Sequence, residues 1–135
     1  MPLPLWENGF RIGAWVPMFN ETVLEHFRNP HNAGEVGNAS AAVEVVNPVC
    51  GDVLRLSVRM QTGRVAEARF KTQGCVAAIA ASSVLTDLLL GKSPAELRSI
   101  TPQQISEELG TLPTATFHAA QLCADALDAL ASKLA

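Results

Sequence analysis

No cluster of lysine or arginine occurs anywhere along the chain. With a net charge of -3 and a pI near 5.5, that absence argues against nucleic-acid binding, which relies on a basic face or stripe. Cysteine is scarce too. Three thiols in 135 residues, an odd number without a short-loop framework, do not resemble a secreted disulfide scaffold and suit a reducing cytoplasm. A long unbroken apolar run is also missing. The stretch from Val76 to Leu90 is interrupted by Ser82, Ser83, Thr86 and Asp87. It falls short of the roughly 20 apolar residues of a membrane span and reads as a core helix. Finally, the N-terminus has no basic n-region and makes a poor signal peptide.

What is present suffices for one core: 48% of the residues are hydrophobic, in a chain of ordinary single-domain size. Residues 18–135 read as that domain and residues 1–17 as an N-terminal extension. The extension, MPLPLWENGFRIGAWVP, has no helical or alternating period and is punctuated by Pro2, Pro4, Gly9, Gly13 and Pro17. Two readings of it stand side by side. In one, translation starts at Met18; in the other, Trp6 and Trp15 cover apolar surface.

From Asn20 onward the pattern is legible. Asn20 is a good N-cap for a helix over residues 21–28, which Asn29-Pro30 ends. The following His31 to Asn38 is loop chemistry, so His26 and His31 read as surface groups. Three strands come next, over 42–46, 53–60 and 64–71. In the second, Leu54, Leu56, Val58 and Met60 alternate with Arg55, Ser57 and Arg59, the period of a half-buried strand. Gln61-Thr62-Gly63 predicts a tight hairpin, hence antiparallel pairing. The period turns helical from Cys75 to Leu90 and stops at Gly91-Lys92. Ser93-Pro94-Ala95-Glu96 and Thr101-Pro102-Gln103-Gln104 each start a short helix, and a last helix runs from Pro113 or Thr114 to Leu134. The fold class is α+β: a small, mostly antiparallel three-stranded sheet packed by helices, with a long C-terminal helix.

The chemistry gathers at the ends of these elements. Cys50-Gly51-Asp52 sets a thiol and a carboxylate two residues apart, with a glycine that permits a bend between them. Cys75 is expected at a helix N-terminus, where unpaired N–H groups and the dipole favour a thiolate and lower its pKa. His118 and Cys123, near the start of the last helix, offer a nitrogen and a third sulfur. Thiolates and imidazole suit zinc, iron and iron-sulfur clusters, whereas a carboxylate is a harder and weaker partner for a soft cluster. The residue types alone equally allow Cys50 and Cys75 to be small buried hydrophobes.

The order of motifs resembles the iron-sulfur cluster assembly scaffold family, the IscU/NifU N-terminal/SufU-like proteins, over about residues 19–133. The matching pieces are Val23 to Gly34 (VLEHFRNPHNAG), Asn47 to Asp52 (NPVCGD), Phe70 to Cys75 (FKTQGC), Ala78 to Ser83 (AIAASS) and Gly91-Lys92. By position, the resemblance implies that Cys50, Asp52, Cys75 and His118 are the metal or cluster residues. The family's Leu-Pro-Pro-Val-Lys-Leu-His-Cys reads here Leu112-Pro113-Thr114-Ala115-Thr116-Phe117-His118-Ala119. The family's third cysteine, which commonly accepts sulfur from a cysteine desulfurase, is therefore Ala119. Its lysine is Thr116, which weakens the implication of a heat-shock chaperone partner. Cys123 lies one helical turn beyond Ala119, about 6 Å along the axis, and is the candidate compensating ligand.

The expected function is a non-enzymatic scaffold, with no membrane and no nucleic-acid partner. It holds iron or a transient [2Fe-2S] cluster, takes sulfur from a desulfurase and releases the cluster to apo-proteins. The alternative is a zinc-binding sulfur-relay or interaction module of the same fold, since two thiols, Asp52 and His118 also make a four-ligand zinc site. A third, weaker reading is an enzyme with Cys75 as nucleophile and His118 as base.

Overall fold

The computed structural model describes residues 19–48 and 51–134, so Cys50, the N-terminal extension and Met18 lie outside the described residues. Helix α1 (Glu21–Arg28) begins where Asn20 accepts a hydrogen bond from the Val23 N–H at 3.0 Å. The same side chain donates to the Leu109 carbonyl at 2.6 Å and so ties α1 to a distant part of the chain. Strands β1 (Ala41–Val46), β2 (Val53–Gln61) and β3 (Arg64–Gln73) form an antiparallel sheet in that spatial order. Val43, Leu56 and Phe70 share a cross-strand row, as do Val45, Leu54 and Thr72. The predicted alternation is realised, with Leu54, Leu56 and Val58 fully buried on the inner face.

The β2–β3 turn has only two central residues. Thr62 (φ 52°) and Gly63 (φ 77°) are both left-handed, the conformation whose twist matches that of the flanking strands. The outer face of the sheet is crossed by the loop after α1. There the Val36 N–H donates to Ser57 Oγ at 3.0 Å, and Glu35 meets Arg55 at 3.3 Å and Lys71 at 3.4 Å. Loops also cover the free edge of β3: Asn32 and Gly34 bond Phe70 at one end, Gly91 and Lys92 bond Val65 at the other. An edge so covered offers few unpaired groups to a foreign strand.

Helix α2 (Val76–Leu89) lies against the sheet and against α1. Helices α3 (Pro94–Leu97) and α4 (Pro102–Glu108) then lead to α5 (His118–Leu134), which touches α2, α3, α4 and the first two strands. Both short helices start as their sequences predict. Ser93 and Glu96 form a reciprocal capping box, and Thr101 Oγ1 accepts from the Gln104 N–H at 3.1 Å.

Three expectations are adjusted. Cys75 is the N-cap of α2 rather than its first helical residue, and Leu90 has left the helix for an extended conformation before Gly91 turns left-handed. The last helix starts later than expected. Pro113 leads into a single 3₁₀ turn, Thr114–Thr116, and α5 proper begins at His118. His26 and His31 are not simply surface groups. Three of the polar residues that interrupt the apolar run of α2 turn toward this segment: Ser83 Oγ meets His26 Nδ1 and the His31 N–H, both at 2.8 Å, Asp87 pairs with His31, and Thr86 reaches the same loop. Thr86 bonds the His31 carbonyl and Asn32, so each buried hydroxyl has a partner.

Burial and the neighbouring His31 hold the His26 pKa below its ordinary value. A histidine whose pKa is depressed by folding contributes stability that is present above its unfolded pKa and lost as pH falls through the folded value. The melting temperature of the wild type should therefore fall more than that of His26→Gln when pH is lowered from 7 to 5, as followed by circular dichroism. In the core, Leu85 is 0% exposed, whereas Leu90 is 40% exposed. Urea unfolding should show Leu85→Ala losing about 2–5 kcal/mol and Leu90→Ala less than about 1 kcal/mol.

Candidate metal centre

Three chain segments converge at one end of the sheet. The first is the connection from β1 to β2, closed at its base by the Asn47 N–H bonded to the Asp52 carbonyl and the Gly51 N–H bonded to the Asn47 carbonyl, both at 2.8 Å. Gly51 has φ 76°, a conformation that other residues enter at a cost. Asp52 follows at the foot of β2 with only 6% of its surface exposed.

The second segment is the exit of β3. Past the last pair, Val53 opposite Gln73, Gly74 lies against Asp52 and Cys75 caps α2. The third is the start of α5. In the 3₁₀ turn the Pro113 carbonyl accepts from the Thr116 N–H at 2.9 Å and from its hydroxyl at 3.1 Å, and His118 emerges one residue after Phe117.

These segments bring Asp52, Cys75 and His118 together. Cys75 Sγ lies 3.7 Å from Asp52 Oδ2 and 3.8 Å from His118 Nε2, and the latter two atoms are 3.6 Å apart. Bonds of about 2.0–2.3 Å arranged tetrahedrally around one ion place the donor atoms about 3.3–3.8 Å from one another. The triad therefore has the dimensions of one face of a tetrahedral site. Among the described residues this is the one group of three such side chains close enough to share an ion. Cys50, two residues before Asp52 in sequence, lies outside the described residues.

The expected low pKa of Cys75 is corrected. Burial is the largest influence and raises it, and the adjacent Asp52 carboxylate raises it further, while the N–H groups of Ala78 and Ala77 offset only part. The helix N-terminus acts in the anticipated direction, but desolvation outweighs it. A thiol so shifted is the opposite of an activated nucleophile, which counts against the Cys75–His118 enzyme reading.

Cys123 sits elsewhere, fully buried in the core, beside Ser82. Burial pushes its thiol up to about 12, and it is not part of the triad. Ala119 is likewise fully enclosed, and Thr116 is buried with its hydroxyl turned back on Pro113. Gly74, which the sequence reading noted only as the glycine beside Cys75 in a motif, lies against Asp52. Its signal was a glycine immediately before a candidate ligand.

Residues 18–134 match the NifU-like N-terminal domain. An Archaeoglobus fulgidus protein named iron-sulfur cluster assembly scaffold protein IscU 1 is 40% identical over 110 residues, covering 82% of this chain and 72% of its own length. The Escherichia coli protein named iron-sulfur cluster assembly scaffold protein IscU is 40% identical over 115 residues, covering 82% and 89%. A Drosophila melanogaster relative, 37% identical over 118 residues and covering 84% and 76%, is named an iron-sulfur cluster assembly enzyme. Among solved structures, a SUF-system scaffold protein from Fervidobacterium islandicum superposes with a TM-score of 0.68 over 85% of this chain and 97% of its own. At 16% identity that likeness concerns the fold alone.

Peptide mapping after timed carbamidomethylation at pH 7 without metal should find Cys75 modified more slowly than free glutathione. Its rate should climb as pH rises past the ordinary thiol range. Cys123 should stay unmodified until the protein is unfolded.

Proposed function

Because this chain belongs to the NifU-like N-terminal domain family, we propose that it is an iron-sulfur cluster assembly scaffold, holding iron or a transient [2Fe-2S] cluster as cargo. The observation that carries this reading is the Asp52, Cys75 and His118 triangle in a chain of that family. Three donor atoms that are all mutual neighbours share one ion, whereas a two-iron cluster spreads its ligands over two metals. A single ferrous ion therefore suits the triad as it stands, with Cys50 as the fourth ligand. Building the cluster then requires sulfide and a redistribution of ligands. Asp52 is the ligand to yield, because a carboxylate is the hardest member of the set and binds a soft cluster least well.

Sulfur comes from a cysteine desulfurase. With alanine at position 119, sulfur has to reach the site without a thiol at that position. The finished cluster passes to apo-proteins, and residues 18–135 act as one scaffold domain. No described helix is long and apolar enough to cross a membrane, in keeping with work in the cytoplasm. Thr116, buried and bonded to Pro113, offers no charge to a chaperone.

The triangle's dimensions suit zinc as well as iron, so the zinc-module reading is kept as an outcome of the test. Iron, zinc and acid-labile sulfide per chain are measured after anaerobic reconstitution of wild type and Cys123→Ala. Iron and sulfide in matched amounts are expected, unchanged by the substitution because Cys123 lies in the core. Stoichiometric zinc without sulfide moves the chain to the zinc module, and loss of iron in Cys123→Ala makes that thiol a ligand. Absence of both iron and sulfide from the wild type would falsify the scaffold.

A further inference from the structure

Asp52 and Gly74 stand just beyond the last pair of the β2–β3 ladder. Directly opposed residues of an antiparallel pair keep their Cβ atoms about 4.5–5.5 Å apart. A Cβ placed on Gly74 would be only 3.1 Å from the Asp52 Cβ, 2.7 Å from its Cγ and 2.8 Å from Oδ1. The two chains thus approach more closely than side chains on both would allow. The carboxylate fills the place where a methyl group would stand.

This glycine is not needed for its backbone freedom. Gly51, Gly63 and Gly91 have positive φ, whereas Gly74 does not. Space is what glycine supplies here. With Oδ1 against Gly74, Oδ2 is the oxygen left facing Cys75 Sγ and His118 Nε2.

We infer that Gly74 is a positioning residue that seats the Asp52 carboxylate against Cys75 and His118, so that a methyl group at 74 would displace Asp52 from the ligand face. The inference rests on the proposed ion-holding role of the triad. It predicts that Gly74→Ala behaves as a substitution of Asp52 does.

The test is a double-mutant cycle with Co²⁺ as the probe, on reduced full-length wild type, Gly74→Ala, Asp52→Ala and the combined variant. Affinity is read by titration, and the ligand set by the thiolate-to-Co²⁺ and d–d absorption bands. Gly74→Ala is expected to weaken binding by about 10- to 100-fold, the usual range for residues that support a ligand. Its spectrum should match that of Asp52→Ala, and the combined variant should bind like Asp52→Ala alone. Wild-type affinity and spectrum in Gly74→Ala overturn the inference while leaving the ion-holding reading intact. So does a further equal loss when Gly74→Ala is added to Asp52→Ala, because Gly74 would then act by another route. A wild type that takes up no Co²⁺ overturns the ion-holding reading and this inference together. Should Gly74→Ala alone not fold, recovery of folding when it is combined with Asp52→Gly, which also removes the Asp52 Cβ 3.1 Å from the added methyl, supports the clash with Asp52, and lack of recovery overturns it.

Discussion

The burial of α2 is the constraint on which the rest of the structure depends. Ten of its fourteen residues are buried, Ser82, Ser83 and Thr86 among them. A helix so enclosed must be covered by the sheet, α1 and α5, and must find hydrogen-bond partners for its hydroxyls inside the protein. Ser82 bonds the Ala78 carbonyl at 2.7 Å and meets Thr72 of β3 at 2.8 Å. Ser83 and Thr86 reach the loop that follows α1. These bonds set the helix against its neighbours at particular heights as well as burying it.

That placement decides where α2 begins. Its N-cap, Cys75, falls at the foot of the sheet beside Asp52, and α5, packed against the same helix and the first two strands, delivers His118 to the same point. The environment that assembles the triad also opposes the charge it needs. Burial and Asp52 keep Cys75 a thiol in the absence of metal, and a bound cation reverses that balance by favouring both negative ligands at once. Such a site would bind an ion less tightly than one whose ligands are ionised beforehand, because Cys75 must give up its proton on binding.

The departures from the family's motif make sense within the same packing. Ala119 is enclosed where α5 begins, and Thr116 closes the 3₁₀ turn through its own hydroxyl. The nearest sulfur on the same helix, Cys123, is fully buried beside Ser82, which in turn meets the part-buried Thr72. Helical spacing alone put it within a turn of the lost position. Burial set it in the core, away from the three gathered side chains.

What the sequence by itself determined was local. The Asn20 cap, the alternation of β2, the Thr62-Gly63 turn and the two capped short helices follow from contacts within a few residues, and such signals are legible because the partners are neighbours in the chain. The candidate ligands were legible too, through residue type and motif order. Only the tertiary structure decided how they act. Whether Cys75 is charged depends on desolvation and on a carboxylate 23 positions away, and whether Cys123 reaches the site depends on which face of α5 meets α2. That Asp52 fills the space a methyl group at position 74 would need depends on how closely two segments approach past the last pair of the ladder. Each of these is a sum over neighbours brought together by packing, and no local pattern encodes it.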